Sequence, residues 1–294
     1  MVQRSKGEKI FNVFNYIFLA VLSFTTLYPF LYTLTISIST RDIAGTVGFH
    51  VLPTWGKISF DAYNLVFQNE LIWTAYGYTI FRTVVGTVLS VLVTCFYGYA
   101  ISRPNLVWKK FFVTFLMITT FFSGGQIPAY LNIKDLGLID NVWVYILPAL
   151  VTAYYVIIAR SFFSDLPEAL NESAKIDGAG EFRIFFKIIV PLSKPVIMTL
   201  ALWIAVNHWN SWFDSMMYMT NSKKAVVQEY IRRIVNEATD SMTDVGADPN
   251  AAENLTPDTV RSASIMVTVI PILSFYPFIQ RYFIKGVTLG AVKG

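Results

Sequence analysis

Cysteine and histidine are almost absent. Of 294 residues one is cysteine, Cys95, and two are histidine, His50 and His208. One thiol excludes an internal disulfide and any multi-cysteine metal site. The two histidines are too far apart for a local metal motif. Charge is scarce too, at 14% against about 25% in ordinary soluble domains, while apolar residues make up 54%. Mean hydropathy is +0.51. Disorder is excluded, because disordered chains are poor in aromatics and this one has 24 Phe, 16 Tyr and 7 Trp. Missing as well is the Gly-x-x-x-x-Gly-Lys-Ser/Thr phosphate loop, so nucleotide hydrolysis is not expected of this chain. No paired carboxylates or histidines suggest an intramembrane enzyme. The net charge of +4 is read as loop orientation in a membrane protein rather than as a nucleic-acid footprint.

What remains is long and apolar. A bilayer span needs roughly 20 such residues, and six stretches qualify: 11–37, 71–102, 111–133, 142–163, 195–218 and 263–283. The third carries a Gly124-Gly125 break and Pro128. The sixth carries Pro271 and Pro277, which a span tolerates when neighbours satisfy the freed carbonyls. The first run is too long for a signal peptide and lacks a cleavage site. The expected fold is therefore an all-α integral membrane protein with six transmembrane helices.

Cations set the orientation. Arg4, Lys6 and Lys9, then Arg103, Lys109 and Lys110, then Arg160, Lys175, Arg183, Lys187 and Lys194, then Arg281, Lys285 and Lys293 fall on one side. Only Arg41, Lys57 and Lys134 occupy the two shorter loops opposite. Short loops carry the positive-inside signal, so both termini are expected in the cytoplasm.

Two loops are more than connectors. The inside loop, residues 165–192, reads as two short helices. Asp165 is placed as the cap of the first and Pro167 in its first turn. Gly178 stops it in a left-handed conformation. A second segment, 181–190, sets Phe182, Phe185, Phe186 and Ile189 on one face until Pro191 ends it. By pattern alone this is either a folded knob or an interfacial helix lying on headgroups. The outside loop, 220–262, has a helical apolar pattern over 224–238 and coil over 246–257.

The knob decides between these readings by resemblance. Glu172-Ser-Ala-x-x-Asp177-Gly178-Ala179, followed by Phe182 and by Ile-x-x-Pro191, resembles the "EAA" loop of binding-protein-dependent ABC importer permeases, with Ser173 where the family has alanine. The tail Phe283-Ile-Lys-Gly-Val-Thr-Leu-Gly-Ala-Val-Lys-Gly294, Tyr99-Ala-Ile-Ser-Arg103 and Leu136-Gly-Leu-Ile-Asp140 resemble its carbohydrate-uptake, maltose-transporter-like branch. Arg82-Thr-Val-Val-Gly-Thr87 and Trp209-Asn-Ser-Trp-Phe-Asp214 are similar to the subgroup importing oligosaccharides, uronic-acid-containing ones among them.

The resemblance implies a type I ABC importer permease, 1–294 forming one transmembrane domain in a bacterial cytoplasmic (inner) membrane. Its implied partners are a second homologous permease, two cytoplasmic ATPase subunits, an extracellular or periplasmic sugar-binding protein and membrane lipid, with no nucleic acid. ATP and Mg would act at the ATPase, and this chain would bind no cofactor. Glu172, Ala174, Asp177, Gly178, Ala179, Phe182, Phe185, Phe186 and Pro191 would form the coupling element. In it Glu172 would be the charged contact, Gly178 the hinge and the phenylalanines the anchors. Residues 286–294 would reach toward the ATPase interface, or fray as a free terminus. The outside loop would enter the binding protein, or cap the bundle.

Polar residues within spans usually face the bundle interior or a water-filled path. Arg82, His208, Asn210, Trp212 and Asp214 are the candidates for a cargo path, Arg82 pairing with a carboxylate of either protein or cargo. A proton-coupled secondary transporter using Arg82, His208 and Asp214 as a relay is the alternative function.

Overall fold

The computed structural model describes residues 6–44, 48, 57–68, 70–244 and 255–291, with side chains omitted over 237–244 and 275–291. The last three residues of the tail, and residues 245–254 of the outside loop, lie outside the described residues.

Two helices are long and apolar enough to cross a membrane by themselves: α1 (Lys6–Ser37) and, after the short α2 (Arg41–Ala44) and α3 (Asp61–Gln68), α4 (Glu70–Ser102). Three more spans are possible only if each of three bent pairs counts as one. The third expected span is α5 (Lys109–Phe121) and α6 (Gln126–Asp135), bent by 119° at the predicted diglycine. The fourth is a 3₁₀ stretch over 142–149 followed by α7 (Ala153–Ser164), at 49°. After α8 (Ala169–Ile176), α9 (Glu181–Ile184) runs through a π-turn (Phe185–Ile189) into α10 (Val190–Leu192). This run meets α11 (Lys194–Asn210) at 84°. Then come α12 (Phe213–Tyr218), α13 (Val227–Asp244) and α14 (Pro257–Ala291), the last covering the sixth expected span.

Three expectations need correction. The fifth span is not one helix over 195–218: it stops at Asn210, Ser211 turns extended, and Asp214 sits on the separate α12. Pro191 does not end its helix. The π-turn before it widens the ladder, so the missing proline N–H leaves no tight α-helical bond broken, and the helix continues to Leu192. Asp165 caps the C-terminus of α7, its N–H donating to the Ser161 and Phe162 carbonyls. Glu168 is the residue that begins α8.

The chain divides into two compact units. In residues 1–70 with 231–270, Ser59 N–H donates to the Ile38 carbonyl at 2.9 Å, and the Ser37 and Tyr63 hydroxyls bond at 2.8 Å. These bonds fix α3 beneath the end of α1. The apolar window of α1 buries nothing within the chain, so its Phe and Leu side chains are left for lipid or another subunit.

The second unit, 71–230 with 271–294, is built around α4. Thr79, Arg82, Gly86, Ser90, Thr94 and Gly98 recur along one buried flank. Mostly small residues at this spacing let neighbouring helices approach closely. A Cβ on Gly98 would lie 2.8 Å from the Ala159 Cβ, and one on Gly86 would lie 2.6 Å from His208 Nε2. These two positions bring α7 and α11 against α4. Toward one end of α4, Cys95, Tyr99, Phe163, Ile184, Phe185 and Leu200 form a common core.

Candidate functional site

The 165–192 loop is a folded knob. Its first helix, α8, ends in a Schellman motif: Ala179 N–H donates to the Ala174 carbonyl at 2.9 Å and Gly178 N–H to that of Lys175 at 3.0 Å. This requires Gly178 at φ +75°, with open space where a Cβ would stand. Glycine is therefore needed for its backbone and not for packing. Across the turn Lys175 Nζ meets Glu181 Oε1 at 2.7 Å, and the Tyr99 hydroxyl donates to Glu181 Oε2 at 3.0 Å. Lys175, with help from Tyr99, holds the Glu181 carboxyl below the ordinary carboxylate range.

The knob has two faces. Ala174, Ile184, Phe185 and Ile189 are buried, Phe185 stacked on Phe96 with ring centroids 4.6 Å apart. Glu172, Asp177, Gly178, Phe182, Phe186 and Pro191 are exposed, and Ala179 is half-buried. Phe185 is thus a root of the knob, not an outward anchor. The expected common face for Phe182, Phe185, Phe186 and Ile189 splits because the π-turn shifts the helical register. The most exposed apolar side chain here is Ile176, 86% accessible, followed by Phe182 at 74%. Ile176 was not singled out by its sequence. The signal was present, since an isoleucine two positions after the buried Ala174 points away from the core of an amphipathic helix.

Arg82, His208 and Asp214 do come together. Arg82 Nη1 and Nη2 donate to Asp214 Oδ1 and Oδ2 at 3.0 and 2.5 Å, and Nη1 also donates to the Ser211 carbonyl at 3.1 Å. The guanidinium lies 4.8 Å from the centroid of the Tyr145 ring. The break after α11 makes this possible: the extended Ser211 turns its carbonyl out of the helical ladder, and α12 brings Asp214 back beside it. Asp214 Oδ1 accepts further from Ser215 N–H at 2.9 Å and from the Ser211 hydroxyl at 3.3 Å. His208 is buried against Gly86. All three line a polar cavity of about 70 Å³, room for about two waters.

Asn210 and Trp212 lie elsewhere, in an open groove of about 600 Å³ with Tyr155, Trp203 and Asn207. Trp203 stacks with Tyr155 at 6.3 Å. Flat aromatic faces beside two side-chain amides suit a carbohydrate, whose C–H faces pack on rings while its hydroxyls bond the amides. The proposed path therefore splits: Asn210 and Trp212 face the groove, whereas Arg82 and Asp214 satisfy each other. Tyr155, Trp203 and Asn207 were missed, because residues of three different turns converge only in the folded chain.

A third arrangement accounts for the Leu136–Asp140 motif. Asp140, at φ +55°, accepts from the backbone N–H groups of Thr220 and Asn221 at 2.8 and 3.1 Å and from the Thr220 hydroxyl. Its own carbonyl accepts from Lys224 Nζ at 2.5 Å. The Thr220 hydroxyl and these N–H groups hold its carboxyl below the ordinary range.

Comparison with known proteins agrees with this anatomy. The profile of binding-protein-dependent transport system inner membrane components matches residues 82–289. The polygalacturonan/rhamnogalacturonan transport system permease protein YtcP of Bacillus subtilis is 36% identical over 98% of this chain and 99% of its own. Protein LplC of the same organism is 35% identical over the whole of this chain and 98% of its own. A crystal structure of a bacterial ABC transporter involved in the import of the acidic polysaccharide alginate contains a chain 30% identical. It superposes with a TM-score of 0.84 over 96% of this chain and all of that one. The knob, the aromatic groove and these likenesses point the same way, to a transport subunit and not an enzyme: the chain belongs to the binding-protein-dependent transport system inner membrane components, the permeases of bacterial ABC importers.

Proposed function

We propose that this chain is one of two homologous permeases of an ATP-driven importer for oligosaccharides, acidic ones included, and that it forms half of the translocation path. The reading includes six spans with both termini in the cytoplasm, an external sugar-binding protein, and two cytoplasmic ATPase subunits at which ATP and Mg act. The knob, 165–192, docks into the ATPase. Ile176 and Phe182 are its apolar anchors, and Glu172 is the charge that sets register, the division of labour common at interfaces. The tail, 286–294, approaches the ATPase dimer, and the outside loop, 220–262, meets the binding protein.

The observation that carries this reading is the knob itself: two exposed apolar side chains held on a rigid turn whose other face is rooted in the core. Uptake of acidic sugars is supported by the names of YtcP and of the alginate transporter. The proton-relay alternative is not supported. A guanidinium does not release its proton, and Arg82 is committed to Asp214 in a two-pronged ion pair.

The test is reconstitution with the partner permease, ATPase and binding protein, followed by binding-protein-stimulated ATP hydrolysis. Gly178→Pro cannot hold φ +75° and deletes a motif hydrogen bond, so stimulation is expected to collapse while the permease pair still assembles. Undiminished hydrolysis in that variant overturns the docking assignment.

A further inference from the structure

Between the knob and the end of α4 lies a cavity of about 700 Å³ that docking to the ATPase does not explain. Phe96, Leu106, Phe182 and Phe185 give it a mostly apolar wall. Two polar groups are set into that wall. Asn171 on α8 is only 5% exposed, and neither its Nδ2 nor its Oδ1 has a hydrogen-bond partner. Arg103 lies with its guanidinium 4.8 Å from the centroid of the Tyr99 ring and donates to the Phe163 carbonyl and the Ser102 hydroxyl, each at 3.1 Å. It forms no ion pair among the described residues. The other charges of the wall are accounted for: Lys175 is paired with Glu181, and Glu168 is exposed at the start of α8. The cavity therefore offers an unpaired guanidinium, a buried donor and a buried acceptor within apolar walls. That combination suits an amphiphile whose anionic head also bears a hydroxyl.

Position selects among such molecules. Arg103 is the first residue beyond α4, and the chain that follows presents Val107, Trp108 and Phe111 at 71%, 73% and 57% exposure, next to Lys109 and Lys110. Tryptophan and lysine together at a helix end mark headgroup depth. Leu106 lines the cavity and directly precedes this exposed apolar strip. The cavity is thus continuous with a surface that faces lipid.

We propose that the cavity seats the head of an anionic, hydroxyl-bearing phospholipid of the inner leaflet, of the phosphatidylglycerol class. Arg103 and Asn171 Nδ2 donate to its phosphate, Asn171 Oδ1 accepts from a headgroup hydroxyl, and the acyl chains leave past Leu106 toward Trp108. The lipid braces the knob against α4, so coupling depends on anionic lipid. This rests on the cytoplasmic placement of the knob proposed above.

The experiment is native mass spectrometry of the purified full chain in detergent, titrated with phosphatidylglycerol or phosphatidylcholine. One phosphatidylglycerol is expected to be retained, at least tenfold better than phosphatidylcholine. Arg103→Gln is expected to remove that preference, Arg103→Lys to restore most of it, and Asn171→Leu to weaken it several-fold. Millimolar inorganic phosphate should not displace the lipid. Equal retention of the two lipids, an unchanged preference in Arg103→Gln, or displacement by inorganic phosphate overturns the proposal. Retention in detergent is independent of which side the knob faces. That placement is read separately, by labelling a Ser173→Cys thiol with an impermeant reagent in intact cells, the native Cys95 being buried. Labelling from outside would sink the coupling assignment and leave lipid retention to be judged by its own result.

Discussion

Replacing Asp214 by asparagine should harm this protein more than replacing the arginine it pairs with. Arg82 is 2% exposed in its side chain and Asp214 21%, so the two ends of the pair are not equivalent. Asp214→Asn leaves a guanidinium inside the bundle with the Ser211 carbonyl as its remaining bonded acceptor. Removing one member of a buried pair costs about 3–5 kcal/mol, most of it the uncompensated charge. The partial exposure of Asp214 favours the lower end, about 3 kcal/mol, roughly a hundredfold in a folding equilibrium. Arg82→Gln leaves a carboxylate that is nearer to solvent and still holds the Ser215 N–H and the Ser211 hydroxyl, so its cost should be smaller. The double variant removes both charges and should recover part of the loss, since the two sites are coupled. The assay is thermal unfolding in detergent followed by intrinsic tryptophan fluorescence. At about 2–4 °C per kcal/mol for a chain of this order of size, Asp214→Asn should unfold about 6–12 °C below wild type. Equal shifts for the two single variants, or strictly additive shifts in the double variant, would refute the reasoning.

Ile176→Asp should cut binding-protein-stimulated hydrolysis by tenfold or more in the reconstituted complex while leaving the permease's unfolding temperature within a degree or two, because the side chain is 86% exposed. Gly86→Ala should destabilise the chain, since the new Cβ would meet the His208 ring at 2.6 Å, and adding His208→Ala should relieve it, both read by thermal unfolding. For Asp140 the native carboxyl is depressed, so its stabilising effect is full above the unfolded value of about 3.9 and is lost as pH falls through the lower native value. Limited proteolysis near Thr220 should accordingly be flat from neutral pH to about 5 and rise only in stronger acid, whereas Asp140→Asn should be nicked already at neutral pH. Trp203→Ala and Asn210→Ala should each slow sugar uptake in proteoliposomes without lowering the unfolding temperature by more than a few degrees, as both side chains face an open groove.

The apolar runs alone were enough to read a helical membrane protein, because a span must satisfy its backbone internally whatever surrounds it. The glycine at 178 was equally legible, since a helix that ends in a left-handed turn needs that residue type, and the diglycine at 124–125 did mark a break. Tertiary structure decided where side chains point and where partners from distant segments meet. The π-turn at 185–189 rotates Phe185 into the core and leaves Phe182 outside, a register change that a periodic pattern cannot show. Arg82 was recognisable as a costly intramembrane charge, but its partner 132 residues away became evident only once the break at Ser211 returned α12 toward α4. Local sequence thus determined the elements, their caps and their solvent, because those depend on neighbours along the chain. Only the folded chain decided which charges are neutralised and which apolar residues remain free to bind, because both depend on contacts between segments far apart in sequence.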